Sequence, residues 1–387
     1  MDFDLNEQQE MLKTAARDFL GKECPKSLVR GMAKDEKGYS AELWNKMVDL
    51  GWPGLIFPEK YGGLEGSFLD LAVLMEEMGR ACLPGPFFST VVLGGLFIFN
   101  AGTEEQKQAL LPGITRGKTL ITMALTESTA GYNAGAVKVT ATRDNNDYII
   151  DGTKLFVPDA HIADHLICIA RTGKGQAPEE GITAFLVDAK SSGVSCTLLR
   201  TIAGDKLCEV VFDKVRVPGT NIIGELNQGW ADVAKTLQQA RIAKCAEMVG
   251  GAQQVLEMSA DYTKDRIVFA RPLGSFPVIQ HHITNMKIDV DGCRYLTYEA
   301  AWKLSEGLPC NLEIYMAKAW TSDAYRRITA TGQQVFGGVG FIEDHDMPLY
   351  FRRAKAAEVT LGDGNYHREL VAQELVSQKE KQIAANK

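Results

Sequence analysis

The chain has 387 residues, with 42 Lys and Arg against 49 Asp and Glu, for a formal net charge of −7. Hydrophobic residues make up 45% and charged residues 24%, the balance of a globular chain, and the length predicts two or three domains at roughly 100–200 residues each. The acidic balance argues against a nucleic-acid binder, and the lack of about 18 consecutive apolar residues argues against a membrane-spanning helix. The start Met1-Asp2-Phe3-Asp4-Leu5 argues against a signal peptide, so the expected compartment is the cytoplasm.

Residues 1–118 read as helical. Leu5, Gln8, Leu12, Ala15 and Phe19 recur at helical spacing, as do Leu43, Met47 and Leu50, and residues 70–78 give another such face. Thr103 with Gln106 three residues on predicts a capped helix start. Gly-Pro clusters at 51–54, 61–63, 84–86 and 112–113 punctuate these runs.

From about Thr119 the period shortens. Residues 137–142 alternate, 144–147 form a polar turn, and the run 148–157 carries Asp151-Gly152, a hairpin signal. Short strands are expected at 166–170, 183–187, 196–201 and 210–217, which predicts a β domain over 119–225. Beyond Asn227 the helical period returns: Val233, Leu237, Ala240, Lys244 and Met248 lie three or four apart, and long helices are expected at 281–306, 312–336 and 365–384. The expected architecture is mainly α with a central β domain: an N-terminal helical domain (1–118), a middle β-barrel (119–225) and a C-terminal four-helix bundle (226–387).

Several motifs carry chemistry, each beside a plainer reading. Gln334-Val335-Phe336-Gly337-Gly338-Val339-Gly340-Phe341 closes a helix, so it lacks the strand that a dinucleotide fingerprint needs. Its glycines serve either as a helix cap and turn or as a close backbone approach to a ligand or second chain. Arg266, Phe269 and Arg271 fit a phosphate and a flat ring, or an ordinary solvated helix end. The loop from Leu125 to Gly135 suits a polar cofactor edge, or a linker. His161 and His165 have metal-ligand spacing only on a helix, which Pro158 opposes, so solvated loop histidines are expected. Eight scattered cysteines without a Cys-x-x-Cys pair read as reduced buried thiols. No Gly-x-Ser-x-Gly elbow occurs.

Taken together, the order of the parts resembles the acyl-CoA dehydrogenase family over essentially the whole chain. The resemblance rests on Ala124-Leu125-Thr126-Glu127, on Asp151-Gly152-Thr153-Lys154-Leu155-Phe156, on the stretch 265–280, and on Gln334 to Phe341 followed by Arg352-Arg353-Ala354-Lys355. It implies FAD held with help from a neighbouring subunit, an acyl-CoA substrate, an acceptor such as an electron transfer flavoprotein, and a homotetramer or a heterotetramer with a related subunit. By that resemblance Leu125 and Thr126 line the isoalloxazine and Phe156 covers its other side. Gly131 and Asn365 add cofactor contacts. Arg266 and Phe269 reach the partner's FAD, Gln334, Gly337 and Gly338 meet the adenosine end, and Tyr132 and Arg241 border the acyl-CoA.

The resemblance also exposes departures. The usual Glu-Gly-Thr falls on Leu361-Gly362-Asp363, so the position of the family's glutamate base holds Leu361. The alternative base position, just before Arg241, holds Ala240. Neither side chain takes a proton. Tyr132, Pro158 and Asp363 replace smaller or hydroxyl residues near the cofactor. Three readings follow: a dehydrogenase whose base has moved, with Asp363 and Glu358 as candidates; a non-catalytic subunit of a mixed α2β2 dehydrogenase; or an FAD- or acyl-CoA-binding relative without dehydrogenation.

Overall fold

A computed structural model describes residues 4–129 and 131–385; Ala130 of the Leu125–Gly135 loop lies outside the described residues, as do Met1, Asp2 and Phe3. By its internal contacts the chain divides into two compact units, one formed by residues 1–29, 67–83 and 241–387, the other by 30–66 and 84–240.

The first unit is helical. It contains α1 (Glu7–Glu23) and, after α2 (Lys26–Lys34) and α3 (Ala41–Asp49) in the chain, α4 (Phe68–Ala81). Asn6 caps α1 and Gln9 answers it, but Gln9 also donates from Nε2 to Asp70 Oδ1 at 3.0 Å. That bond turns Gln9, Ala16 and Leu20 inward, so the buried face of α1 lies one residue on from the expected one, and Gln8 and Ala15 are exposed. Helix α4 is buried along most of its length. Its Glu76 carboxylate receives Tyr298 Oη at 2.7 Å and pairs with Arg294 and Lys13, each at 3.2 Å. Burial favours the neutral acid there, but the two cations hold Glu76 below the usual carboxylate range.

The C-terminal part of this unit is built on four long helices and a shorter one. They are α7 (Trp230–Asp265, of which 241–265 belong here), α8 (Pro277–Ser305), α9 (Asn311–Phe336), α10 (Met347–Val359) and α11 (Gly364–Ala385). α7 and α4 cross closely: a Cβ on Gly79 would lie 1.8 Å from Glu247 O, and one on Gly250 1.7 Å from Glu76 O. Only hydrogen fits at either crossing point.

The second unit holds residues 30–34 of α2, α3, a π-helical segment (Phe88–Gly95), α5 (Leu96–Ala101), α6 (Glu104–Thr115) and the sheet. Thr103 and Gln106 form the expected capping box at the start of α6. The strands are β1 (Ile121–Ala124), β2 (Thr140–Asp144), β3 (Asp147–Pro158), β4 (His165–Arg171), β5 (Ile182–Asp188), β6 (Val194–Leu199), β7 (Leu207–Pro218) and β8 (Ile222–Ile223). Their order is β6-β7-β3-β2-β4-β5-β8, with β1 beside β4. The barrel expectation is therefore corrected: among the described residues the end strands β6 and β8 do not pair, and the sheet stays open. Its middle is thin as well, because β2 and β4 meet at the single pair Thr140↔Arg171.

The hairpin signal is corrected too. The β2–β3 reversal uses the polar turn, closing at Asp144↔Asp147, whereas Asp151-Gly152 lies inside β3 at a register shift. Gly152 has φ +136, and a Cβ there would meet Val139 Cγ2 at 2.9 Å. The glycine thus makes a bulge rather than a turn.

Candidate functional site

In the second unit the loop 125–127 is fixed to β3 by a buried ion pair. Lys154 falls on an inward-facing position of β3, fully buried. Its Nζ donates to Glu127 Oε1 at 2.7 Å and to Leu125 O at 3.0 Å. Glu127 also accepts from the amides of Lys138 and Val139 at 2.9–3.2 Å, and Leu155 N donates to Thr126 O at 2.8 Å. The carboxylate thus has a cation and two amides, which compensates its burial. Both residues stand in motifs of the sequence but received no role there, although a lysine at an inward strand register is itself a signal.

This zipper fixes Leu125 and Thr126 beside the end of β3, where a second register shift puts Phe156 at φ +55 and leaves it 51% exposed. Leu125 is buried and Thr126 partly exposed. A bulged, half-exposed phenylalanine next to a partly exposed threonine offers an apolar face and a polar edge together. Gly131 and Tyr132 are partly exposed in the following loop, and a Cβ on Gly131 would crowd Ala136 Cβ at 2.6 Å. Pro158 ends β3, paired with Leu207.

In the first unit residues 267–272 form a two-stranded ribbon of β9 (Ile267–Val268) and β10 (Arg271–Pro272). Both tip residues, Phe269 and Ala270, have positive φ, as a tight hairpin requires, though neither is glycine. Phe269 stands 88% exposed on that strained tip, with Arg266 exposed at its base. The three glycines after α9 separate by cause. Gly337 has φ +61, and a Cβ on Gly340 would strike Gln333 Oε1 and Phe336. Gly338 has open space around it, so nothing among the described residues demands glycine there. Gln334 is exposed beside them.

The segment between α10 and α11 carries the expected base position. Leu361 is buried with φ +60, and its carbonyl accepts from Arg241 Nε at 3.4 Å and faces His367 Nε2 at 3.0 Å. Lys318 Nζ, also buried, donates to the carbonyls of Ala357, Glu358 and Gly362 at 2.8–3.2 Å. Burial lowers its pKa to about 8. Burial, then the charges of Arg241 and Lys318, push His367 down to about 3, so the imidazole is neutral. Arg241 also lies 5.9 Å from the Tyr315 ring.

The two carboxylates expected as alternative bases are both engaged. Asp363 Oδ1 accepts from Tyr366 N at 2.8 Å, capping α11. Glu358 is buried and pairs with Lys355 at 3.1 Å and Arg326 at 3.6 Å. Ala240 is fully buried and Asn365 exposed, its Oδ1 accepting from Arg368 at 2.5 Å. The residues therefore gather into four groups: the Leu125–Phe156 zipper in one unit, and the 267–272 ribbon, the Gln334–Gly340 turn and the Leu361 cradle in the other. His161 and His165 lie on no helix, and among the described residues no cluster of metal-ligating side chains occurs.

Comparison with known proteins identifies the family. Models of the acyl-CoA dehydrogenase N-terminal, middle and C-terminal domains match residues 6–118, 122–215 and 227–376. The chain belongs to the acyl-CoA dehydrogenase family, whose members are FAD-dependent oxidoreductases. It is 32% identical to an NADH-dependent acryloyl-CoA reductase of Anaerotignum propionicum, covering 97% of this chain and 96% of that protein. A butyryl-CoA dehydrogenase of Megasphaera elsdenii superposes with a TM-score of 0.90 at 30% identity, covering 97% of this chain and all of the other. The ChsE4–ChsE5 complex of Mycobacterium tuberculosis gives 0.89 at 26%, covering 97% and 99%. Among the described residues no helix is long and apolar enough to cross a membrane.

Proposed function

We propose that this chain is an FAD-binding subunit of an acyl-CoA dehydrogenase that oxidises the α,β C–C bond of an acyl-CoA thioester, with the proton-abstracting carboxylate supplied by a related subunit. The observation that carries the reading is the Leu361 cradle. An apolar side chain holds the base position while both nearby carboxylates, Glu358 and Asp363, are committed to ion pairing and helix capping. A base moved to Asp363 or Glu358 within this chain would first have to break those contacts.

The residues present fit FAD. Phe156 on its bulge offers a ring face, Thr126 a hydroxyl, and the unfilled space at Gly338 a close backbone approach. When bound, FAD supplies the acceptor for the hydride leaving the β-carbon. In this reading Leu125 and Thr126 orient the isoalloxazine, Phe156 excludes water from one face, and Gly131 and Asn365 add contacts. Gln334, Gly337 and Gly338 receive the adenosine end. Arg266 and Phe269 reach a neighbouring subunit's cofactor, Arg266 by charge-assisted hydrogen bonds to phosphate. Tyr132 and Arg241 border the acyl-CoA, and Arg241 steadies the Leu361 carbonyl. The domains 1–118, 119–225 and 226–387, a tetrameric assembly, an electron transfer flavoprotein as acceptor and a cytoplasmic setting complete the proposal.

The visible spectrum tests it. The pure chain is expected to hold flavin poorly or to keep it oxidised when an acyl-CoA is added, and to bleach when co-purified with a glutamate-bearing subunit. Rapid bleaching of the chain alone would refute the shared-base reading.

A further inference from the structure

Beside the end of β3, where Cys208 pairs with Val157, β6 and β7 bring two cysteines to one histidine. Cys196 pairs with Val210, and Cys208 lies two residues from Val210 on the same strand. Residues two apart share a face, so the two cysteines are diagonal neighbours on one face of the sheet. Cys208 is fully buried, whereas Cys196, on the edge strand, is the exposed cysteine among eight unpaired thiols.

His161 completes the group. Its Nδ1 lies 3.7 Å from Cys208 Sγ, and its Nε2 lies 3.2 Å from Lys37 O. A carbonyl accepts only, so Nε2 carries the proton and Nδ1 is left to take one from sulfur. The position is built in. Asp159 N donates to Lys206 O at 2.8 Å, which ties the turn bearing His161 to the residue two before Cys208. Asp159 sits at φ +53, and its Oδ2 is 2.6 Å from Ser89 Oγ. Lys206 Nζ in turn donates to Ala33 O at 3.0 Å.

The electrostatics agree with that geometry. The neighbouring Cys196 thiol, against burial, and then His161 lower the Cys208 thiol below its ordinary range, while Cys196 is raised. Burial disfavours charge on His161, but the Cys208 sulfur, the Lys37 carbonyl and Asp159 together raise it. Asp159 itself is pushed up by burial to about 6. A thiolate at neutral pH, with its proton on a neighbouring imidazole, is the condition for thiol reactivity.

We propose that Cys196, Cys208 and His161 form a peroxide-reactive dithiol that closes to an intrachain disulfide, a redox site separate from the flavin chemistry. As the exposed Cys196 sulfur attacks, its proton passes to the Cys208 thiolate, which acts as the base. The Cys196 sulfur bonds to one oxygen of hydrogen peroxide, the O–O bond breaks, and Cys196 becomes a sulfenic acid while the departing hydroxide takes the proton held on His161 Nδ1 and leaves as water. Cys208 sulfur then attacks the Cys196 sulfur, its proton passing to His161 Nδ1, and the S–O bond breaks to release hydroxide, which leaves as a second water. Two thiols lose two electrons and two protons, and one peroxide becomes two waters.

Trypsin cleaves after Lys190, Arg200, Lys206 and Lys214, so Cys196 and Cys208 fall in separate peptides, 191–200 and 207–214. The purified full chain, with whatever flavin it carries, is treated with near-stoichiometric hydrogen peroxide, alkylated and digested. The expected result is a linked pair of these peptides, two hydrogens lighter than their sum and separated by a phosphine reductant. Cys196→Ser, at an exposed position, abolishes the linkage, and His161→Gln slows it about tenfold by removing the proton acceptor that maintains the thiolate. Absence of the linked pair in the wild type, oxidation confined to Cys196, or an unchanged rate in His161→Gln would each overturn the proposal.

Discussion

Replacing Lys154 with Met tests the physical account of the Leu125–Phe156 zipper. The substitution keeps the aliphatic volume but removes the donor to Glu127 Oε1 and to Leu125 O, leaving a buried carboxylate with two amides and no cation. Breaking one side of a buried pair costs about 3–5 kcal/mol, because the surviving charge is uncompensated. With Glu127→Gln added, the stranded charge disappears and most of that cost should return. Because the chain has two compact units, a global melting curve would mix their transitions. Hydrogen exchange at Val139 and Leu155, whose amides bond to Glu127 and to Thr126 O, reads the local effect instead. At about 1.4 kcal/mol per decade, a loss of ~3 kcal/mol accelerates exchange there roughly 10²-fold in Lys154→Met and far less in the double variant. FAD retention should fall in parallel. Unchanged protection in the single variant would refute the claim that the pair holds the loop.

Three further outcomes follow from the same geometry. Arg266→Ala should weaken FAD binding by roughly 10–10²-fold, the worth of a charged hydrogen bond of about 1.5–3 kcal/mol, while circular dichroism stays unchanged because Arg266 is exposed. Light scattering of the FAD-bound protein should give a dimer or tetramer; a monomer with full FAD would defeat the shared-site reading. His367 has a native pKa of about 3, below its ordinary value of 6.5, so between these pH values the unfolded chain binds more protons and stability rises with pH. It is fully present above pH 6.5 and lost towards pH 3, by roughly 3–5 kcal/mol, and His367→Gln should flatten that acid limb in pH-dependent denaturation.

The parts of the fold that depend on near neighbours in the chain were legible. The Thr103–Gln106 capping box, the strand positions and the long helices follow from spacings of two to four residues. What failed depended on distant partners. Asp151-Gly152 looks like a turn until Val139 is seen to press on Gly152. The face of α1 shifts because Gln9 finds Asp70 sixty-one residues away. Closure of the sheet depended on whether β6 meets β8, which no local pattern encodes. The loss of a glutamate at Leu361 was visible through a motif. The commitment of Glu358 and Asp363 was not, and neither was the cradle, whose donors lie up to 120 residues away from Leu361. His161, expected as a solvated loop histidine, gains its sulfur partner from a strand 47 residues on.

That cradle makes Leu361→Glu an informative change. Arg241 and His367 hold the carbonyl of residue 361, not its side chain, so both bonds survive the substitution. The positive φ already exists with Leu and adds no new strain. What changes is one buried apolar group for a carboxyl. Burial raises the pKa of that carboxyl, while the nearby Arg241 and Lys318 oppose the rise, so the group remains a carboxylate able to accept a proton near neutral pH. A positioned base contributes about 10²–10⁴-fold, so anaerobic mixing with a series of acyl-CoAs should show flavin bleaching accelerated by that order in the variant over the wild type. The comparison is made at equal FAD loading, since a loss of packing at Leu361 could lower cofactor content independently. If the wild type bleaches quickly and Leu361→Glu slows it, the chain already possesses a base elsewhere. The borrowed-carboxylate reading then fails, and Asp363→Asn and Glu358→Gln become the variants that identify the group.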